Sequence, residues 1–189
     1  MAAPTPDHQR LVRRLSNQLE NYLEDKTCEM FFSPIDIILA GAAQTDEEID
    51  TVIQPDLLVC CDPAKISHRG CKGAPDLVIE ILSPSSFKRD LNDKFQLYEA
   101  SGVKEYWVVS PGEASIVVYW LDEKGRFQED GIYYAYKADI VPVKILPDLR
   151  IDLKRIFRKI SATSKKIRPG TFRSRPAVVE RRIKTKRTV

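Results

Sequence analysis

The stretch DLVIEIL at residues 76–82 decides the fold. Apart from Asp76 and Glu80 it is apolar, it follows Pro75, and its length and branched side chains suit a strand buried on both faces. PDLLVCC at 55–61 is built the same way and also opens on Pro-Asp. The two runs read as central strands, and the segment between them, Asp62 to Ala74, holds mostly loop-forming residues.

Working downstream, Ser83-Pro84-Ser85-Ser86 breaks the second strand. Lys88 to Ser101 then reads as a helix stopped by Gly102, the residue that most easily takes the left-handed conformation of a helix end. Glu105 to Val109 and Ser115 to Leu121 are two further strands, joined by a turn at Pro111-Gly112. A hairpin containing Gly131 and a short helix from Leu153 to Ile160 follow. Upstream, Thr5 caps a helix from Pro6 to Lys26, with proline at the first position, where its missing N–H costs nothing. Leu11, Leu15, Leu19, Tyr22 and Leu23 form one apolar stripe on it. Phe31 to Ala40 suits a strand, and Gly41 to Asp50 a loop. A strand-helix-strand crossover over 76–109 implies an α/β fold: a mixed central β-sheet flanked by helices.

A chain of 189 residues accommodates one domain with a real core. Residues 1–160 are expected to form it. No stretch approaches the roughly 20 apolar residues of a bilayer span, and the N-terminus lacks a signal-peptide pattern, so no membrane association and a cytoplasmic location are expected. Cys28, Cys60, Cys61 and Cys71 are then expected to be reduced thiols. A zinc site from Cys60, Cys61, His68 and Cys71 competes poorly, because adjacent strand residues point to opposite faces. Charge is unevenly spread. Residues 160–189 carry ten Lys or Arg against Glu180 alone, a balance of +9, which leaves 20 basic and 26 acidic residues, or −6, in the remainder. The segment 161–189 reads as a basic, disordered tail.

The chemistry starts from alternation along the strand. Asp76, Val78, Glu80 and Leu82 share one face, so Glu80 is a carboxylate inside an apolar run, where ionisation is costly unless something pairs with it. It is either a buried glutamate satisfied by a lysine or backbone, or a metal ligand. Mg²⁺ takes one or two protein carboxylates and keeps several waters. Asp56, at the start of the preceding central strand, can be brought within one strand spacing of Glu80, about 4.8 Å, if the two strands pair, whereas Asp76 is about 13 Å away along its own strand. Asp56 therefore ranks first as the second ligand. On the following helix Lys94 falls on the stripe of Leu91, Phe95 and Tyr98, so it faces the sheet. An i,i+4 pair with Asp90 accounts for the spacing but not for that side. Two carboxylates and an ammonium suit phosphodiester hydrolysis, although an inert salt-bridge network has the same composition.

GAPDLVIEILSPSS (73–86), followed by RDLNDKFQLYEASGVKEYWVVSP (89–111) and preceded by IQPDLLVCCDP (53–63), closely resembles the signature of the Uma2 (DUF820) family. The resemblance is strong in the middle third of the chain and extends in outline over 5–52 and 112–159. It implies a restriction-endonuclease-like PD-(D/E)XK fold, usually bacterial, and an Mg²⁺- or Mn²⁺-dependent deoxyribonuclease activity on DNA. Asp56 matches the upstream Pro-Asp, and Glu80 the acidic residue of the E-x-K strand. Leu82 stands where the wider superfamily has its lysine, and Lys94 is the replacement. Folds of this kind often pair as homodimers. The competing class is a catalytically inactive nucleic-acid-binding or protein-interaction domain. An acidic globule needs local basic groups to hold DNA, and Lys65, Arg69 and Lys72 are candidates against a merely solvated loop.

Overall fold

The computed structural model describes residues 4–39, 51–83 and 89–160. Helix α1 (Pro6–Leu23) begins as its sequence dictates. The Thr5 side chain accepts the His8 N–H at 3.2 Å, and Pro6 opens the first turn. Leu11, Leu15, Leu19 and Leu23 are buried, and each stabilises the fold by about 1.5–3 kcal/mol.

β1 (Glu29–Phe32) and β2 (Ile37–Leu39) replace the single strand expected over 31–40. Ser33-Pro34 separates them, and a proline has no N–H to continue a ladder. β3 (Thr51–Ile53) and β4 (Leu57–Cys60) follow. The segment expected to be loop contains a 3₁₀ turn at Pro63–Lys65 and two short strands, β5 (Ile66–Ser67) and β6 (Gly70–Lys72). Gly70 is required there: its φ is +125°, and a β-carbon would collide with the Asp36 carbonyl.

β7 (Leu77–Ile81), α2 (Arg89–Ser101), β8 (Glu105–Ser110), β9 (Ser115–Leu121) and β10 (Phe127–Tyr134) run close to expectation. Gly102 has the left-handed φ of +84° that stops α2. A bulge between Glu129 and Gly131 shifts the β9–β10 register. β11 (Ile140–Val143) and β12 (Leu146–Asp152) form a hairpin that periodicity does not reveal, and α3 is only Leu153–Ile156.

The main sheet has the order β1-β4-β7-β8-β9-β10. β7 and β8 are parallel, joined by the α2 crossover, and the other pairs are antiparallel. α1, α3 and the β11–β12 hairpin cover one face, where the α1 leucines meet Leu57, Val59, Leu77 and Ile79. α2 covers the other, where Tyr98 and Phe95 meet Val78, Tyr106 and Val108. A second sheet, β3-β2-β6-β5, adds Ile37 and Cys71 to that core. The expected mixed α/β architecture, a sheet flanked by helices, is therefore present. Among the described residues no helix is long and apolar enough to cross a membrane.

One expectation about cysteine chemistry is overturned. Cys28 and Cys61 form a disulfide, joining the segment before β1 to the end of β4, while Cys60 and Cys71 are buried free thiols. The antiparallel β1–β4 pairing sets Glu29 opposite Cys60, which brings the neighbouring Cys28 and Cys61 together. Residues 40–50, 84–88 and 161–189 lie outside the described residues, and with them the Gly41–Asp50 loop and the basic tail.

Candidate active site

The β4–β7 register pairs Leu57 with Ile79 and Leu58 with Val78, so one further step of the ladder sets Asp56 opposite Glu80. The two carboxylates therefore project from neighbouring strands at the end of the sheet. Asp56 takes over the ladder there through its side chain, with Oδ2 accepting the Ile81 N–H at 2.7 Å.

Two elements close on this pair from opposite faces. From the α2 side, Lys94 Nζ and the Tyr98 hydroxyl both donate to Glu80 Oε1, at 2.7 and 2.8 Å. From the α1 side, His8 Nε2 lies 3.0 Å from Asp56 Oδ1. The Thr5 cap and Pro6 fix the turn that carries His8, so the start of α1 and the orientation of Asp56 are linked. Glu80 is buried, with its side chain 9% exposed, whereas Lys94 is 29% exposed and reaches the site from its rim.

Burial pushes the Glu80 carboxyl above the usual carboxylate range, and the Asp56 charge adds to this; Lys94 and Tyr98 pull the other way without cancelling it. The hydrogen bond to Asp56 raises the His8 imidazole, against the effect of burial. Burial and the Glu80 charge raise Tyr98 far enough to keep it a donor. Beside them the Tyr106 hydroxyl is buried and has no hydrogen-bond partner among the described residues.

Asp76 is elsewhere. It sits at the opposite end of the strand, where Oδ1 pairs with Lys104 at 2.6 Å and Oδ2 accepts the Cys61 N–H at 2.7 Å. Its carboxylate ties β4 to the approach to β8. Leu82 packs into the α2-side core. Lys65 donates to the Ala74 carbonyl at 2.8 Å and so braces its own loop, while Arg69 is exposed. The Asp90 side chain lies outside the described residues.

A second buried glutamate provides a contrast. Glu105 accepts the Trp107 indole N–H at 2.8 Å and the Ile145 N–H at 3.0 Å. It is anchored by neutral donors, whereas Glu80 is approached by an ammonium and faces a second carboxylate.

Among the described residues no group of three or more His, Cys, Asp or Glu is placed to hold a metal ion. The zinc combination is not assembled, since Cys61 is bonded to Cys28 and His68 is exposed. Two oxygen-donor side chains on adjacent strands are of the type that suits a hard ion keeping most of its waters, rather than zinc.

Sequence reasoning converges on Asp56, Glu80 and Lys94, which the structure brings together. It misses His8, and it treats Tyr98 only as part of an apolar stripe.

The Uma2 family model, described as "Putative restriction endonuclease", matches residues 1–154. The "Uncharacterized protein slr1290" of Synechocystis sp. (strain ATCC 27184 / PCC 6803 / Kazusa) is 29% identical over 126 residues, 66% of this chain and 63% of that protein. This chain thus spans just under two thirds of that relative's length. A "putative nuclease belonging to DUF820" from Anabaena variabilis ATCC 29413 has a similar solved structure, with a TM-score of 0.64 at 18% identity, covering 82% of this chain and 83% of that one. That likeness is one of fold.

Proposed function

The chain belongs to the Uma2 family, and on that premise we propose that it is a divalent-metal-dependent endonuclease hydrolysing phosphodiester bonds in DNA. One observation carries the reading: Asp56 and Glu80 face each other from adjacent strands while Lys94 reaches Glu80 from the rim of the site.

In this reading Asp56 and Glu80 hold Mg²⁺ or Mn²⁺, which when bound supplies Lewis acidity toward a phosphoryl oxygen and lowers the pKa of bound water. The protein's own groups do the rest. Lys94 sets a positive charge where the phosphate gains negative charge, or positions the attacking water, in place of the lysine that Leu82 cannot supply. The Tyr98 hydroxyl fixes one Glu80 oxygen and so orients the other. His8 holds Asp56 in the direction of Glu80. Cutting both strands of a duplex calls for two such sites, so a homodimer is the assembly this reading favours.

A second reading draws on the same contacts. Glu80 is met by Lys94 and Tyr98, and Asp56 by His8 and Ile81, a network that is satisfied as it stands. A catalytically silent nucleic-acid-binding or protein-interaction domain would look the same.

The deciding experiment incubates supercoiled plasmid and single-stranded DNA with Mg²⁺ or Mn²⁺ and compares the native chain with Glu80→Gln, Asp56→Asn and Lys94→Ala. Mn²⁺ binding is followed separately by calorimetry. Cleavage by the native chain that is lost in all three folded variants, with Mn²⁺ binding lost in the two carboxylate variants, is expected. No metal-dependent cleavage by the native chain would favour the silent domain.

A further inference from the structure

On the side of α1 that faces α3 lies a groove of about 540 Å³ whose lining, among the described residues, is made of polar side chains. Among the described residues that line it, five are cationic, Arg13, Arg14, Lys154, Arg155 and Arg158, and none is acidic; Asp152, beside the groove, pairs with Arg155 at 3.5 Å. The described globule lies within a part of the chain whose net charge is negative, so this concentration of positive charge runs against its surroundings. It is also costly. Arg14 is pushed below the usual arginine range by burial and by the charges of Arg158, Arg13 and Arg10. Neighbouring cations of this kind repel one another unless an anion lies between them.

The groove is built rather than incidental. Arg14 donates to the Ile156 carbonyl at 2.8 Å, and Gln18 exchanges two hydrogen bonds with the Asp152 backbone, at 3.3 and 2.9 Å. These contacts fix α3 against α1 and hold Lys154 and Arg158 opposite Arg13. Arg13, Asn17 and Asn21 recur every four residues along α1 and span about 12 Å at 1.5 Å per residue. A nucleic-acid strand carries one charge per roughly 3.4 Å of duplex axis, so about three phosphates match that length. His8 precedes Arg13 by five residues on the same helix, so the groove starts about 7–8 Å along the axis from the turn that touches Asp56 and about 140° around the helix from it, and a strand reaching both must pass over the N-terminal turns of α1.

We infer that the α1–α3 groove binds the phosphate backbone of the DNA substrate and sets its path relative to Asp56 and Glu80. The choice of polyanion rests on the nuclease reading. The lining favours it over an anionic membrane or an acidic helix, either of which would call for apolar side chains to be buried as well.

The test measures the affinity of the full chain for a fluorescent duplex of about 25 base pairs by anisotropy, in EDTA so that nothing is cut, over a series of salt concentrations. The variants are Arg13→Glu, Lys154→Glu and Arg158→Glu, singly and together, all at exposed positions. Lys124→Glu in the β9–β10 turn is the control. Circular dichroism checks folding, and neutral Arg13→Gln and Arg158→Gln repeat the measurement if a reversal disturbs it. The triple variant is expected to bind at least about tenfold more weakly, with a salt slope reduced by about 0.9 for each phosphate that is no longer neutralised, while Lys124→Glu binds as the native chain does. An unchanged slope in the triple variant, an equal weakening in Lys124→Glu, absence of duplex binding by the native chain, or stronger binding to anionic vesicles than to duplex would each overturn the inference. The two proposals fail separately. Groove-dependent binding without metal-dependent cleavage would sink the nuclease reading alone, and cleavage with groove-independent affinity would sink the groove alone.

Discussion

Lys94 Nζ lies 2.7 Å from Glu80 Oε1, joining α2 across the face of the sheet to the penultimate residue of the otherwise apolar β7. Removing one partner of such a pair leaves the other charge in a poorly solvated place, whereas removing both charges need not. Lys94→Met is therefore expected to destabilise the fold by about 1–3 kcal/mol, less than for a fully buried pair because Lys94 is partly exposed. Glu80→Gln should stay within about 1 kcal/mol of the native chain or exceed it, because burial already opposes the charged carboxyl. In urea melts the double variant should recover most of the stability that Lys94→Met forfeits. Equal destabilisation of the single and double variants would show that the two groups are not coupled.

Two tyrosines at this site are expected to respond oppositely to removal of their hydroxyls. Tyr98 donates to Glu80 at 2.8 Å, and a hydrogen bond to a charged group is worth about 1.5–3 kcal/mol. Tyr106 packs against Tyr98, with ring centroids 5.2 Å apart, but its buried hydroxyl has no partner among the described residues. Tyr98→Phe should thus lower stability by that amount, while Tyr106→Phe should be neutral or slightly stabilising, within about 0.5 kcal/mol. Thermal melts of the two variants side by side test this. A Tyr106→Phe variant as unstable as Tyr98→Phe would mean that the Tyr106 hydroxyl is engaged after all.

The parts of this molecule legible in the sequence are those set by local period. The α1 leucines mark a core-facing helix, and the short runs around Val59 and Ile79 mark central strands, because burial on one stripe or on both faces leaves a pattern in the order of residues. Part of the site follows from the same logic. Alternation puts Glu80 on one face of β7, the start of the preceding central strand offers Asp56 as its partner, and helical spacing turns Lys94 toward the sheet; that Asp56 meets Glu80 rather than Asp76 is set by the antiparallel pairing of β4 with β7. What stays hidden depends on contacts between distant segments. His8 is 48 positions from Asp56, and nothing in the leucine stripe indicates that its first turn reaches the end of β4. The Cys28–Cys61 disulfide follows from the β1–β4 register, and β1 and β2 read as one strand until Ser33-Pro34 is seen to part them. β5, β6 and the β11–β12 hairpin are too short or too mixed in polarity to display a period. The basic groove is invisible because Arg13 and Arg158 each look like ordinary surface residues until α3 folds back onto α1.

The contact between His8 and Asp56 predicts a pH dependence of stability with a definite sign. The imidazole pKa is raised in the folded chain above its unfolded value of 6.5, chiefly by the hydrogen bond to Asp56. A group raised in this way stabilises the fold fully below the unfolded pKa, and the stabilisation fades as pH rises through the folded pKa. His8→Gln removes the titrating group and keeps a side-chain donor of similar reach. The stability difference between the native chain and His8→Gln should therefore be largest near about pH 5.5–6, where His8 is charged, and should shrink toward about pH 8.5. Denaturant melts of both chains across that range measure it. A difference that is flat, or that grows with pH, would mean that His8 packs against Asp56 as a neutral ring, and that the orientation of this carboxylate does not depend on an ion pair.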